Sequence, residues 1–379
     1  MQQPQKLVPS THSIRSFLLA AKEKFQKRTD PLPIVVLGNE GGDMDSVVSA
    51  VVLSHGLTAS NNFCVPVLNF PRNDLVLRKD VFNHLQRFGV SPNDLIFVDD
   101  DRVDLSQHRV VLVDHNQLCP RQEQAAGKNV VGILDHHVDE KAYLLQTSLV
   151  RVIEPVGSAA SLVVLHHRDV LGVPLLSAEF ILAPILLDTA NFTDVKKMTQ
   201  RDVDAVDFLK QWLPAEFSTE KFYTELHTER TSVDKLSAPE QLRRDYKKFD
   251  LCGGYVVGVS SIVVLRDDIK ALYKREEWNA AVYQRMGMEK CDLYLNMLHD
   301  GGKRQLEVFI APDGDLVKQG KTMKMFDGFV DFSRDSVGLV LKKEKKGVRL
   351  YRQQDTSVSR KNLTPLIAQF WEGNIKSTL

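Results

Sequence analysis

The first residues whose types and spacing could do chemistry are two carboxylates, Asp43 and Asp45, in the glycine-rich segment GNEGGDMDS, residues 38–46. The segment follows a short apolar run and precedes a helical pattern, so we interpret it as a strand-to-helix turn. Two carboxylates separated by one residue in such a turn can converge on a metal ion. A helix N-cap formed by Asp45 or Ser46 is the alternative. Capping accounts for one acid but not for both together with Asn39, and we therefore favour a metal site.

Acidic and histidine residues also end two later apolar runs. Residues 113–116 read VDHN and residues 134–137 read LDHH. A buried strand with Asp and His at its carboxyl end thus occurs twice within a short stretch of chain. A further histidine pair, His166 and His167, lies inside a helical pattern without a preceding Asp. We interpret that pair as structural.

Four other acids compete for the same chemistry. Asp99, Asp100 and Asp101 follow the apolar residues LIFV. Three consecutive acids cannot all face one ion, and we interpret them as a solvated strand end. Asp188 follows the apolar residues ILL. A lone acid there is more often a helix cap, unless other ligands converge on the same place.

The elements that position these residues are short apolar runs separated by helical patterns. The runs span residues 34–37, 95–98, 110–113 and 130–134, and the helical patterns span residues 11–28, 157–172 and 176–190. Strands that are apolar on both faces and alternate with helices indicate an α/β domain with a parallel sheet between helix layers. Ligands of such sheets bind beyond the carboxyl ends of the strands.

A second, smaller α+β domain is predicted after about residue 240. Its first segment, QLRRDYKKF, has a helical pattern, and the predicted strands span residues 255–264, 291–298, 305–311, 336–341 and 347–351. The polar, charge-rich stretch before this domain suits a connection. We therefore predict domains at residues 1–195 and 239–379, joined by a helical linker at residues 196–238.

Composition restricts the class of protein. The 379 residues are 43% hydrophobic and 26% charged, with 49 basic and 49 acidic side chains, which is typical of a soluble globular chain. This balance gives no support for a nucleic-acid partner. The four cysteines form no CxxC pair, which favours a reducing, cytoplasmic location. No apolar run is long enough for a membrane span.

The order GNxxxDxDS, VDHN, LDHH, EPVGSAAS and LLDTANF resembles the four-motif signature of DHH phosphoesterases. The branch it resembles contains family II inorganic pyrophosphatases, cytosolic exopolyphosphatases and the prune proteins. The likeness extends over nearly the whole chain and implies two divalent metal ions, with Asp114 bridging them. It further implies that His137 lies beside the substrate phosphate, where it can act as a proton donor. The implied metal ligands are Asp43, Asp45, Asp114, His136 and Asp188.

One difference from the family concerns the metal. Bacterial pyrophosphatases of this family have His at the position of Asn39. The exopolyphosphatase and prune branch has Asn there, as this chain does. An amide oxygen is a harder donor than an imidazole nitrogen, which favours Mg²⁺ over Mn²⁺ or Co²⁺. We therefore expect Mg²⁺, with Mn²⁺, Zn²⁺ or Co²⁺ as alternatives, and retain Asn39 as a candidate ligand.

Two basic motifs of the second domain extend the resemblance. Ser359-Arg360-Lys361 resembles the SRK motif of the DHH-associated domain of the second type, and Asp245-Tyr246-Lys247 resembles its DxK motif. Arg offers a bidentate fork to phosphate oxygens and Lys a point charge. Lys247, Arg360 and Lys361 are therefore candidate substrate-binding residues.

The resemblance implies an exopolyphosphatase that releases terminal orthophosphate from inorganic polyphosphate through a metal-activated water. An inorganic pyrophosphatase is the first alternative. A prune-like interaction protein with weak hydrolysis is the second, although Asp135, His136 and His137 form an intact triplet. A RecJ-like exonuclease would carry a GGGH motif, which this chain lacks. We expect a monomer or a weak homodimer.

Overall fold

The computed structural model describes residues 14–28, 30–171, 176–193, 195–196, 198–231, 236–263, 276–299, 302–311, 316–345 and 347–376. The chain divides into two compact units, Met1–Arg230 and Thr231–Leu379. Each unit has its own hydrophobic core, and the buried residues of the two cores do not overlap. The first core includes Ala205, Val206 and Leu209, which lie in the predicted linker. The predicted domain boundaries stay a prediction.

The first unit is built around a parallel sheet of five strands. The strands are β1 (Ile34–Leu37), β2 (Cys64–Val67), β3 (Val110–Val113), β4 (Val130–Asp135) and β5 (Val150–Ile153), in the order β2-β1-β3-β4-β5. Every residue of β1, β2 and β3 is buried, so both faces of the sheet are covered. The strand order reverses between β1 and β3, and ligands of open parallel sheets bind in the crevice that forms at such a point.

The described part of the first unit also contains eight α-helices. They are α1 (Ile14–Lys27), α2 (Met44–Ala59), α3 (Lys79–Arg87), α4 (Pro120–Ala126), α5 (Ala159–His166), α6 (Ala178–Asp188), α7 (Gln200–Lys210) and α8 (Thr219–Thr231). A π turn, His167–Leu171, continues α5. Helix α2 is buried on nearly all sides because it packs against β1, β2, α5 and α6. It therefore carries the residues that follow β1 into the centre of the unit.

The second unit contains a mixed sheet of six strands, in agreement with the predicted α+β class. The strands are β6 (Tyr246–Leu251), β7 (Tyr255–Val263), β8 (Leu293–His299), β9 (Arg304–Ile310), β10 (Leu339–Lys345) and β11 (Val348–Gln353). Their order is β10-β11-β9-β8-β7-β6, and only the β7–β8 pair is parallel. The described helices of this unit are α9 (Ala238–Arg244), α10 (Glu276–Glu289), α11 (Leu316–Phe332) and α12 (Arg360–Lys376).

Two predicted elements are wrong. The helical pattern at QLRRDYKKF ends at Arg244, and β6 follows, because Gly253 and Gly254 adopt positive φ and close a tight β6–β7 hairpin. The predicted strand at residues 95–98 forms one isolated bridge to Leu68. The Asp100 carboxylate accepts a hydrogen bond from the Phe97 amide at 3.0 Å, which turns the backbone out of the sheet.

Three strands were not predicted: β6, described above, and the edge strands β2 and β5 of the first sheet. The other predicted strands are present with shifted ends, and residue 264 lies outside the described residues. In the part of the chain that the structure describes, no helix combines the length and the hydropathy that crossing a bilayer requires.

Candidate active site

The turn between β1 and α2 is shaped by glycine and capped by an acid. Gly42 has φ +57°, and a Cβ there would lie 2.1 Å from the Phe70 ring, so only glycine fits. Asp43 is the N-cap of α2, since its carboxylate accepts the Ser46 amide at 3.1 Å. The cap is therefore Asp43, rather than Asp45 or Ser46 as the capping alternative supposed.

Asp45 lies buried in the first turn of α2 and binds the start of another helix. Its carboxylate accepts the amides of Ala159 at 2.7 Å and Ala160 at 2.8 Å, and the Ser49 hydroxyl at 3.1 Å. A carboxylate is stabilised at a helix N-terminus by the helix dipole. Asp45 thus fixes α5 against α2 beside the carboxyl end of β1.

Asp114 follows β3 and lies at the centre of the site. Its Oδ2 accepts the Ser46 hydroxyl at 2.5 Å and the Asn39 amide at 2.6 Å, and its Oδ1 lies 3.2 Å from His136 Nε2. The residue is buried and has φ +62°. A left-handed conformation at a residue other than glycine is a form of strain found at functional sites. Asp114 joins the segments that follow β1, β3 and β4.

Asn39 contacts Asp114 through its amide nitrogen. Its Nδ2 donates to Asp114 at 2.6 Å, while its Oδ1 accepts the Gly42 amide at 3.2 Å. Its oxygen is therefore directed at the turn in this structure, and ligation through that oxygen would require rotation of the amide. The ligand role of Asn39 stays a prediction.

Asp135 is buried at the end of β4 and orients both histidines. Its Oδ1 accepts the His136 amide and His137 Nδ1, each at 2.8 Å, and its Oδ2 accepts Asn116 Nδ2 at 2.6 Å. Burial raises the pKa of Asp135, but the hydrogen bonds from His137 and Asn116 outweigh it and lower that pKa. An ionised Asp135 keeps the proton of His137 on Nδ1 and leaves Nε2 for another partner.

His136 lies between two carboxylates. Its Nε2 is 3.2 Å from Asp114 Oδ1 and 3.9 Å from Asp45 Oδ2, and its Nδ1 contacts the Val156 carbonyl at 3.0 Å. Burial alone lowers the pKa of His136, yet the hydrogen bond to Asp114 and the charge of Asp45 raise it to about 10. The imidazole therefore carries a positive charge that partly offsets the acids.

Asp188 ends α6 and joins the same group. Burial and the charge of Asp45 raise its pKa well above the usual range, while Arg230 opposes that shift. Its Oδ1 lies 3.7 Å from Arg230, and its Oδ2 is buried without a hydrogen-bond partner among the described residues. A carboxylate at a helix C-terminus is also unfavourable. Burial, the charge of Asp45 and the helix C-terminus all destabilise the ionised carboxylate of Asp188, and a bound cation would offset these effects.

The donor set fits a divalent ion. Burial raises the pKa of Asp45 and of Asp114, and the charge of Asp43 raises both further. So many buried acids cannot ionise together without added positive charge. Side chains of Asp114, Asp135, His136 and His137 place one donor atom each within 4.8 Å of one another. Asp135 already accepts three hydrogen bonds, so its oxygens are less available to an ion than those of Asp114.

The competing acidic triplet has a structural partner. Arg72 forms a bidentate ion pair with Asp100, from Nη2 to Oδ2 at 2.7 Å and from Nε to Oδ1 at 3.1 Å, and the Arg72 backbone amide donates to Asp99 at 2.9 Å. Asp99 and Asp100 therefore anchor Arg72 and are not merely a solvated strand end. His167, as predicted, has a structural position: it is buried, and its Nε2 contacts the Val52 carbonyl at 3.1 Å.

The second unit contains the predicted basic residues. Arg360 opens α12 and pairs with Asp245, which follows α9. Lys247 lies exposed on β6 and Lys361 lies exposed in the first turn of α12. The structure thus brings the SRK and DxK motifs together, although 115 residues separate Arg360 from Asp245.

Two residues that support the site were not singled out from the sequence. Asn116 binds Asp135, and buried Asp202 accepts the Gly157 amide at 2.9 Å and the Ser161 hydroxyl at 2.6 Å. Asp202 thereby holds the segment that leads into α5. The capping-box pattern that starts at Thr199 was the available signal for Asp202.

Family models match both parts of the chain. The model "DHH family, N-terminal domain" matches residues 33–183, and the model "DHHA2 domain" matches residues 224–370. Together they account for most of the chain. The first match contains the segments that follow β1, β3 and β4, and the second contains Lys247, Arg360 and Lys361.

Similar proteins carry phosphohydrolase names. A Schizosaccharomyces pombe protein provisionally named an exopolyphosphatase is 29% identical over 88% of this chain and 89% of its own length. Human "Exopolyphosphatase PRUNE1" is 29% identical over 88% of this chain and 75% of its own length. A "Manganese-dependent inorganic pyrophosphatase" of Methanocaldococcus jannaschii is 26% identical over 76% of this chain and 90% of its own length.

A solved structure has the same fold. The crystal structure of a Methanococcus jannaschii protein, provisionally assigned as a family II inorganic pyrophosphatase, superimposes with a TM-score of 0.60 at 21% identity. The likeness covers 89% of this chain and 99% of that one. The two family models, the relatives and this fold agree, and the chain belongs to the DHH family, with an N-terminal DHH domain and a C-terminal DHHA2 domain.

Proposed function

We propose that this protein is an exopolyphosphatase that releases terminal orthophosphate from inorganic polyphosphate. The observation that carries the proposal is the convergence of buried Asp45 and Asp114 with half-buried Asp188 and His136 beyond the ends of the parallel strands. A polyanion can be hydrolysed there only if cations offset the acids. The intact triplet of Asp135, His136 and His137 and the exopolyphosphatase names of relatives support hydrolysis over a purely binding role.

We infer that two divalent ions, Mg²⁺ in preference to Mn²⁺, Zn²⁺ or Co²⁺, are the cofactors. When bound, divalent ions supply a lowered pKa for a coordinated water and neutralise phosphate oxygens. The name of the Methanocaldococcus jannaschii relative is consistent with a divalent ion of this kind. The residues that would hold them are Asp43, Asp45, Asp114, His136 and Asp188, with Asp114 shared and Asn39 as a further candidate.

His137 is proposed to serve the leaving oxygen. Asp135 fixes its Nδ1, and its side chain is 42% exposed, so the imidazole is both oriented and accessible. A protonated imidazole can donate to a phosphate oxygen and release that proton as the bond breaks. His137 therefore acts as a hydrogen-bond donor and general acid.

Lys247, Arg360 and Lys361 are proposed to bind the phosphates of the substrate. They are cationic side chains of the DHHA2 domain, and Arg360 offers a planar fork that matches phosphate oxygens. We expect a monomer or a weak homodimer. We expect the protein in the cytoplasm, with a polyphosphate-storing organelle as the alternative, since the four cysteines are free and two of them are buried. Nucleic acid and membrane are not among the expected partners.

The proposal is tested by orthophosphate release from pyrophosphate, tripolyphosphate and long-chain polyphosphate, each with Mg²⁺, Mn²⁺, Co²⁺ and Zn²⁺. We expect the highest kcat/KM on a polyphosphate with Mg²⁺. A higher value on pyrophosphate would favour the pyrophosphatase alternative, and no release from any substrate would favour the interaction-protein alternative. In the same assay His166→Ala should leave turnover unchanged, because His166 belongs to the histidine pair that we interpret as structural.

A further inference from the structure

The guanidinium of Arg360 is held by Asp245 through both of its terminal nitrogens. One nitrogen donates to the Asp245 carbonyl at 2.6 Å, and the other donates to the Asp245 carboxylate at 2.5 Å. The Arg360 side chain is only 14% exposed, whereas the Asp245 side chain is 50% exposed. The arginine is therefore confined to one orientation by an acid at the surface.

The backbone that carries Asp245 is itself rigidly placed. The next residue, Tyr246, stacks on Tyr294 with ring centroids 5.8 Å apart, and Arg285 lies 4.3 Å above its ring. The Tyr246 hydroxyl contacts Cys291 Sγ at 3.5 Å. Asp245 directly precedes β6, and its carbonyl also accepts the Ser261 amide of β7 at 3.0 Å. The partly buried tyrosine and this hydrogen bond thus fix the backbone at Asp245.

We propose that Asp245 is a positioning residue that sets the orientation of the Arg360 guanidinium for a substrate phosphate. The inference rests on the proposed function, in which Arg360 binds phosphate. Asp245 occupies one hydrogen of each terminal nitrogen, and Arg360 keeps the three remaining N–H groups of its fork for an anion. A guanidinium that is ordered before binding loses less side-chain entropy when the phosphate arrives.

Electrostatics alone predicts the opposite effect of removing this acid. Without Asp245 the surface around Lys247 and Arg360 becomes more positive, and a polyanion should bind more tightly. If Asp245 merely competed with phosphate for the arginine, its loss would likewise lower KM. Only an orienting role predicts weaker binding by a more positive site, so the sign of the change decides between the interpretations.

The experiment is a double-mutant cycle in the full-length chain with Mg²⁺, using Asp245→Asn, Arg360→Ala and the double variant. KM and kcat are measured on tripolyphosphate, and binding of methylenediphosphonate, which cannot be cleaved, is measured by calorimetry. We expect Asp245→Asn to raise KM and to weaken analogue binding about tenfold. The loss is partial because the Asp245 carbonyl remains. Asp245→Glu should recover part of the affinity, and neither change should matter once Arg360 is Ala.

Asp250→Asn is the matched control, because it removes the same charge from an exposed acid on β6 and should not weaken binding. Unchanged or tighter binding by Asp245→Asn, or an equal loss in the Arg360→Ala background, overturns the inference. The changes at Asp245 and Arg360 could affect analogue binding non-additively in a chain that does not cleave polyphosphate. That result would support the inference and contradict the proposed function. A wild-type chain that does not bind methylenediphosphonate overturns both.

Discussion

At the scale of single residues, Asp114 is the side chain on which the site depends. It contacts Asn39 and Ser46, which follow β1, and His136, which follows β4. Burial and the charges of Asp45 and Asp43 raise its pKa, so its ionised form is destabilised until a cation arrives. A bound cation would therefore stabilise the ionised carboxylate, which is unfavourable in the metal-free protein.

Asp114→Asn should therefore lower kcat by a factor on the order of 10³ or more, because it removes the proposed shared ligand. Asn is the appropriate replacement, since it tolerates the left-handed conformation that Asp114 adopts. Steady-state kinetics checks the rate. Calorimetry with Mg²⁺ should also show weaker metal binding, while the metal-free variant unfolds at the same or a higher temperature. Near-normal turnover in a folded variant would contradict the metal centre.

The identity of the metal depends on the neighbouring position. Asn39→His replaces an amide that lies 2.6 Å from Asp114 by an imidazole nitrogen. A nitrogen donor favours Mn²⁺ and Co²⁺ over Mg²⁺, so the order of metals in the rate should shift toward these ions. Rates and metal dissociation constants for the three ions test this. An unchanged order would show that residue 39 does not contact the metal.

At the scale of elements, burial decides which strands the sequence reveals. The central strands β1, β3 and β4 are apolar on both faces, and each was predicted from its apolar run. The edge strands were missed. β2 contains Pro66 and β5 contains the half-buried Arg151, which an edge tolerates and a central strand does not. Asp114 was found because it directly follows a central strand, whereas the role of Asp188, at the end of α6, was implied only by the family resemblance.

Residues that position other side chains of the site are harder to recognise from the sequence. Asn116 was part of a recognised segment, but its role depends on contacts that only the fold creates. Its Nδ2 donates to Asp135 at 2.6 Å and to the Val138 carbonyl at 2.9 Å, and its Oδ1 accepts the Glu140 amide at 2.9 Å. Asp135 in turn holds His137. The loop after β4 and the orientation of His137 thus depend on one buried amide.

Asn116→Ala should lower kcat by about ten- to a hundredfold, while KM and Mg²⁺ affinity stay close to wild type, because His137 loses its fixed orientation. Leaving Asp135 and the loop without partners should also cost about 1–3 kcal/mol of stability. Kinetics, calorimetry and denaturant unfolding measure these effects. Asn129→Ala is the control, since Asn129 binds the Ser106 carbonyl at 2.7 Å away from the site. An equal loss of kcat in both variants would refute the orienting role.

At the scale of the whole molecule, the proposed metal ligands belong to the first unit and the proposed phosphate-binding residues belong to the second. Each unit has a separate core, and buried acids concentrate in the first. The free energy of unfolding of the metal-free first unit should therefore depend on the protonation of those acids and of His136. Their protonation ties the unfolding of the chain to pH and to divalent ions.

The metal-free protein should lose stability as the pH rises from 7 to about 10. The folded-state pKa of His136 is raised to about 10 from an ordinary 6.5, so between these values the folded chain binds a proton that the unfolded chain releases. Stability then falls with pH by at most about 1.4 kcal/mol per pH unit for this group. The raised pKa values of Asp114 and Asp188 act with the same sign from about pH 4 upward.

The test is the unfolding temperature across this range, in EDTA and in Mg²⁺. Burial lowers the pKa of His84 to about 4, so this histidine contributes little to the change in stability above pH 7. In EDTA the unfolding temperature should fall with pH. The gain from Mg²⁺ should increase with pH, because metal binding requires deprotonated ligands. Asp114→Asn should flatten the EDTA curve, since it removes the main partner of His136. A level or rising EDTA curve in the wild type would contradict the electrostatic account of the site.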